Sequence, residues 1–150
     1  SWTQLISQSD AMAQSMVFSP DYARDGTLWI SLLYGTIYKS NDFGQTWAAA
    51  PSGLPIDPVW TRAFAFSPDY ARDRTLYLGT DNGLFRSTDA GATWAQIDAG
   101  LPAPQTGQQI ITAVAISPAF ATDHTLLVAT QDGGLSISRD RGNTWSVVDQ

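Results

Sequence analysis

The stretch Phe18-Ser19-Pro20-Asp21-Tyr22-Ala23-Arg24-Asp25-Gly26-Thr27-Leu28 returns as Phe66-Ser67-Pro68-Asp69-Tyr70-Ala71-Arg72-Asp73-Arg74-Thr75-Leu76, with one difference, Gly26 against Arg74. A looser third copy runs from Ile116-Ser117-Pro118 to Thr125-Leu126. Downstream of each copy lies an eight-residue box: SNDFGQTW from Ser40 to Trp47, STDAGATW from Ser87 to Trp94 and SRDRGNTW from Ser138 to Trp145. The box starts are 47 and 51 residues apart. Such a register means one supersecondary unit used three times, each unit needing neighbours to bury its apolar faces.

Four short segments in each unit, separated by turn residues, predict antiparallel strands A to D. Strand A is expected over 14–19, 62–67 and 112–117, where the larger Met16, Phe18, Phe64, Phe66, Val114 and Ile116 alternate with smaller residues. One bulky and one slim face suit sheets stacked closely around an axis. Strand B is expected over 27–32, 75–79 and 125–129. It turns through Tyr34-Gly35, Asp81-Asn82-Gly83 or Gln131-Asp132-Gly133-Gly134, whose Gly and Asn tolerate the positive φ of tight hairpins. Strand C ends at Ser40, Ser87 or Ser138, and strand D starts at Trp47, Trp94 or Trp145. Ser1-Trp2-Thr3-Gln4-Leu5-Ile6 resembles Thr93-Trp94-Ala95-Gln96-Ile97, so residues 1–7 read as an extra D strand ahead of units at approximately 12–50, 60–98 and 110–150.

Composition agrees with an all-β chain. With 43% hydrophobic residues and six Trp, the 150 residues can bury a core and are not a disordered tract. All 14 acidic residues are Asp and Lys39 is the sole lysine, so the best charged helix formers are almost missing while a turn former abounds. A net charge of -6 argues against a nucleic-acid or anionic-membrane footprint and favours cationic or neutral partners. Without Cys there is no disulfide framework, thiolate metal site or cysteine nucleophile, and the compartment stays open. The N-terminus lacks signal-peptide features, and no apolar run approaches a membrane span, so the expectation is a soluble chain.

The box has a physical logic without catalysis. The carboxylate of Asp42, Asp89 or Asp140 can accept from N–H groups of its own turn. Gly44, Gly91 or Gly142 supplies a left-handed position, and the indole of Trp47, Trp94 or Trp145 plugs the gap between sheets. All three boxes match Ser-x-Asp-x-Gly-x-Thr-Trp at every fixed position, including Ser40, Ser87 and Ser138. The chain thereby resembles, over its whole length, the Asp-box or bacterial neuraminidase repeat family of β-propellers. That resemblance implies blades like those of sialidases, family 74 xyloglucan hydrolases, sortilin-type receptors and a photosystem assembly factor. It also implies that the boxes are structural and lie away from the ligand face, and it leans towards an extracellular or cell-surface setting.

Propellers typically have about four to eight blades, so three are not expected to close alone. Either the chain is a piece of a longer one or copies associate. Two copies complete a six-bladed ring, which is the preferred reading; three would give an unusual nine. The Trp2 and Trp145 strands compete for one edge in such a ring.

In a propeller the D–A and B–C loops share one face, and the A–B and C–D loops share the other. The A–B loops here are near copies, whereas the D–A loops differ widely, which is where specialised binding belongs. The ligand-face candidates are Gln14, Asp57, Trp60, Arg62, Gln108 and Thr112, with Gln109 beside Gln108. Gln14, Arg62 and Thr112 stand at one point of strand A, lining a central channel. Trp60 with Arg62 offers an aromatic platform and a hydrogen-bonding arm for a sugar or peptide; the structural alternative packs Trp60 on the next blade and pairs Arg62 with Asp57. Asp21 with Asp25, and Asp69 with Asp73, fit turn capping better than calcium, which needs about six oxygen ligands. The third copy has Ala119 in place of one Asp. His124 is the only histidine and reads as a lone exposed side chain. No metal or cofactor is expected.

Two further readings stand beside a binding or assembly module. A glycoside hydrolase fragment is suggested by analogy, but fold is a poor warrant for chemistry. A chain without Glu cannot assemble a sialidase-type Tyr/Glu pair, and Asp10 and Asp57 are the only candidates for a family 74-type acid pair. A designed or reconstructed repeat protein fits the near-identity of 18–28 and 66–76 as well as recent duplication does.

Overall fold

Alternation of large and small residues along strand A becomes real pleating in the structure, a computed structural model that describes residues 13–32, 36–49, 54, 60–105 and 107–148. Among these residues, twelve strands form three four-stranded antiparallel sheets, each in sequence order from one edge to the other. The first contains β1 (Ala13–Phe18), β2 (Leu28–Leu32), β3 (Ile37–Ser40) and β4 (Ala48–Ala49). In the second are β5 (Thr61–Phe66), β6 (Leu76–Thr80), β7 (Gly83–Ser87) and β8 (Ala95–Gln96). The third comprises β9 (Ile111–Ile116), β10 (Leu126–Thr130), β11 (Gly134–Ser138) and β12 (Ser146–Val147). The extra D strand expected at residues 1–7 lies outside the described residues. No helix among the described residues is long and apolar enough to cross a membrane.

Register puts equivalent residues in matching cross-strand rows. Val17, Trp29, Lys39 and Ala48 are directly opposite one another in the first sheet. Ala65, Tyr77, Arg86 and Ala95 form the same row in the second, and Ala115, Leu127, Ile137 and Ser146 in the third. Trp29 packs into one core with Tyr70, Leu78, Phe85 and Trp94 of the next unit, and Tyr77 packs into a second core with Ile111, Phe120 and Val128. Both cores therefore lie between sheets rather than within one. Edge-to-face contacts of Trp29 with Trp94 (6.0 Å) and Tyr77 with Phe120 (6.1 Å) repeat the same joint.

The A–B connections differ from the sequence reading in holding one-turn helices: α1 (Tyr22–Asp25), α2 (Tyr70–Asp73) and α3 (Phe120–Asp123). A loop network fixes each one. Ser19 Oγ donates to Asp25 (2.7 Å) and accepts from Asp21 N, while Asp25 accepts from Thr27 N (2.8 Å). Ser67, Asp73 and Thr75 repeat this, as do Ser117, Asp123 and Thr125. The repeated carboxylate is thus Asp25, Asp73 or Asp123; Ala119 in the third copy leaves that network intact and forgoes only the ion pair that Asp21 makes with Arg24 (3.8 Å) and Asp69 with Arg72 (3.9 Å). Each helix ends on a left-handed residue, Gly26, Arg74 or His124. His124 is half-buried rather than exposed, its ring 6.5 Å from Phe120.

Candidate functional site

At one end of the sheets the A–B helices are tied to the boxes. The N–H groups of Phe43, Ala90 and Arg141 donate to the carbonyls of Gly26, Arg74 and His124. Within the boxes, Thr46 Oγ1 (2.6 Å) and N (2.9 Å) donate to Asp42, as does Ser40 Oγ (2.7 Å), and Ser40 Oγ accepts from Gly44 N (2.9 Å). The same bonds recur around Asp89 and Asp140. Donors from Thr46, then Ser40, hold the Asp42 carboxyl down at about 2, and those from Thr144 and Ser138 do the same for Asp140. For Asp89 burial works the other way, yet the bonds from Thr93 and Ser87 keep it below the usual range. Every carboxylate oxygen in these boxes has a local donor.

The indoles behave differently in the three boxes. Trp145 Nε1 donates across the joint to Ile97 O (2.9 Å), while Trp47 Nε1 folds back on its own Gly44 O (3.1 Å). Trp94 is buried, with no partner for Nε1 among the described residues.

The opposite end carries the D–A loops. Trp60 N donates to Asp81 Oδ1 (2.9 Å), and Asp81 N donates to Trp60 O (3.1 Å), so the D–A and B–C segments meet as expected. Gln131 N to Ile110 O is the counterpart in the third unit. Trp60 stays 43% exposed, with the Arg62 guanidinium 5.5 Å from its ring centroid, and is not packed away. Pairing of Arg62 with Asp57 cannot be placed, because Asp57, like Asp10, lies outside the described residues.

One feature was not legible in the sequence. Ladder pairing passes from Ala13 to Ser15, from Thr61 to Ala63, and from Ile111 to Ala113, stepping over one residue each time. The residues stepped over are Gln14, Arg62 and Thr112. Each sits at a β-bulge, and bulges re-aim side chains out of the pleat. All three are exposed, and β5 touches both β1 and β9, so the bulged strands are neighbours. Thr112 Oγ1 donates to Ala129 O (3.2 Å). Gln108 is exposed, and with Gln109 it borders a shallow groove with Pro102 and Thr130 in the third unit. The structure thus gives Gln14, Arg62 and Thr112 a common register position and sets Trp60 beside Arg62, while Gln108 belongs to the third unit's own loop. Among the described residues no three His, Cys, Asp or Glu side chains are grouped so as to hold a metal.

No family profile matches the chain, and no curated protein matches it by sequence. Solved structures do match in fold. YCF48 bound to a D1 peptide aligns with TM-score 0.64 and 18% identity over 91% of this chain and 39% of that one. An ancestral GH74 enzyme aligns at 0.69 and 19%, over 98% and 19% of the two chains. The GH74 xyloglucanase of Xanthomonas campestris aligns at 0.65 and 19%, over 97% and 24%. The chain therefore spans less than two fifths of the length of these propellers. At these identities the likeness shows fold alone: an all-β chain whose three four-stranded sheets are β-propeller blades.

Proposed function

We propose that this chain is a non-catalytic Asp-box propeller module that binds on its D–A loop face and associates with itself to complete a ring. The observation that carries this reading is the set of three bulges presenting Gln14, Arg62 and Thr112 at one level of adjacent strands, with exposed Trp60 against Arg62. An aromatic surface with a guanidinium beside it suits stacking on a sugar ring or a peptide side chain combined with hydrogen bonding. The boxes sit at the other end of the sheets with their carboxylates already saturated, which supports a structural role. The peptide bound to YCF48 supports a peptide ligand here. The net charge of -6 supports a neutral or cationic one.

Calorimetric titration with cationic peptides, neutral peptides and xyloglucan oligosaccharides tests the site. Saturable binding to one class, weakened at least about tenfold by Trp60→Ala or Arg62→Ala, is expected from loss of an aromatic or Arg anchor. Binding untouched by both substitutions removes the D–A face from consideration.

The GH74 likeness favours a second reading, a fragment of a glycoside hydrolase with Asp10 and Asp57 as its acids. Release of reducing ends from xyloglucan, abolished by Asp57→Asn, would establish that reading and overturn the first.

A further inference from the structure

We propose that the two outer sheet faces are halves of one joint. The β9–β12 blade of one copy packs on the β1–β4 blade of a second copy, through an apolar seam that lacks the cationic latch of both internal joints. This rests on the self-association put forward above and adds its orientation and residues.

The repeat makes the same joint twice within the chain. At the first, the row Val17-Trp29-Lys39 meets Phe64, Phe66, Tyr70 and Trp94. At the second, the row Ala65-Tyr77-Arg86 meets Ile116, Phe120 and Trp145. The third copy of the row, Ala115-Leu127-Ile137, has no sheet against it among the described residues. Nor has the first copy of the receiving set, Met16, Phe18, Tyr22 and Trp47. Exposure marks both as vacant halves. Leu84 is 0% exposed in the second blade, but its equivalent Leu135 is 40% exposed in the third. Phe66 and Ile116 in the filled joints are half-buried, whereas their equivalent Phe18 in the first blade is 54% exposed, its ring edge-on to Tyr22 of its own loop. Trp47 Nε1, turned back on Gly44, is the equivalent of the indole that reaches Ile97 O across the second joint.

Sizes are complementary as well. In the first joint the large Trp29 ring faces small box residues: Ala90 packs against that core, and a Cβ on Gly91 would stand 2.2 Å from the ring. In the outer faces the sizes reverse. The row residue shrinks to Leu127, beside an apolar groove it shares with Ala115, Pro118 and Leu126, while the box residue grows to Phe43, 54% exposed. A large side chain is thus available for the space that a small one leaves.

The latch is a cation bound to the next box. Lys39 Nζ donates to Ala90 O (2.7 Å), and Arg86 donates to Arg141 O (2.8 Å) and Asn143 Oδ1 (3.1 Å). In the third row this position is Ile137, opposite Leu127. The carbonyl it faces in a second copy is that of Phe43, so the seam carries no charge. Row and receiving face are different surfaces, which makes the contact heterologous; it closes when two copies exchange it reciprocally.

Sedimentation velocity on the full 150-residue chain tests this through complementation. Leu127→Asp spoils only the row and Phe18→Asp only the receiving face. Each variant alone is expected to be monomeric, and an equimolar mixture to form pairs through its one intact joint. Restored pairing also demonstrates that both variants fold. Ile137→Arg is expected to lower the concentration of half-association by about a hundredfold, about tenfold for the charged hydrogen bond added at each of the two joints. If the unsubstituted chain associates but Phe18→Asp associates equally well, or the mixture stays monomeric, the joint proposed here is wrong while self-association stands. If the unsubstituted chain is monomeric throughout, both fall.

Discussion

Asp42 and Asp140 show how a surface carboxylate can matter to folding without being buried. Their lowered pKa, about 2 in the fold against about 3.9 in an unfolded chain, fixes the sign of a pH effect. Their contribution is fully present above pH about 4 and is lost as the pH falls towards 2, because protonation discards acceptors for Thr and Ser donors. Thermal melts of the double variant Asp42→Asn, Asp140→Asn are expected to show a lower Tm at pH 7 and a shallower fall between about pH 4 and 2 than the unsubstituted chain. An equally steep fall would mean that other groups govern acid unfolding. Gly91 makes a second residue-scale prediction. Its φ of +81 and the Trp29 ring beside it mean that Gly91→Ala costs at least about 2 kcal/mol, from left-handed strain plus overpacking. Gly134→Ala has φ +69 but open space, and costs only about 1 kcal/mol. Denaturant titration of both variants separates clash from conformational strain. The box Asp and Gly were readable because their chemistry dictates residue type. The left-handed Phe43, Ala90 and Arg141 that precede the box glycines were not, because nothing in those side chains signals φ of 62, 58 and 64. Gln14, Arg62 and Thr112 were picked out by aligning the repeats, but the bulge at each was hidden for the same reason: a bulge places an extra residue without demanding a type.

At the level of elements, the strands were legible because turn residues bracket alternating runs, and the rows of the ladder follow from register once the repeats are aligned. The four-residue helices were not, since four residues show no helical period; only their buried first aromatic, Tyr70 or Phe120, marks them as packed rather than loose. Strand D is two residues long in each sheet, shorter than the runs after Trp47, Trp94 and Trp145 suggest, although strand A at the opposite edge keeps six. Equivalent row positions should differ in cost according to what covers them. Trp29→Ala, within a filled joint, is expected to lose about 3–5 kcal/mol. Leu127→Ala, at the equivalent position on the outer face of the third blade, is expected to lose less than about 1 kcal/mol in a monomeric sample. Chemical denaturation at low protein concentration compares them; similar losses would mean that the outer face of the third blade is as well packed as the inner ones.

For the molecule as a whole, the repeat announced the fold through two matched stretches and three complete boxes, and the blades of solved propellers bear the architecture out. The proposed ring closure has no motif of its own, because it depends on which faces are left uncovered. Cores between sheets, instead of inside them, explain why uncovered faces matter: each outer sheet leaves apolar residues such as Phe18 and Leu135 exposed on the face that an inner sheet buries. The candidate ligand face was read as diverse loops, and what those loops add to the bulged strand ends depends on residues such as Asp57 that carry no repeat signal. The most direct test is the native mass of the chain by light scattering on a sizing column over a range of concentrations. A single species at twice the 16.2 kDa chain mass is the predicted result, as a six-bladed ring of two copies requires. A mass of 16.2 kDa at every concentration would contradict it.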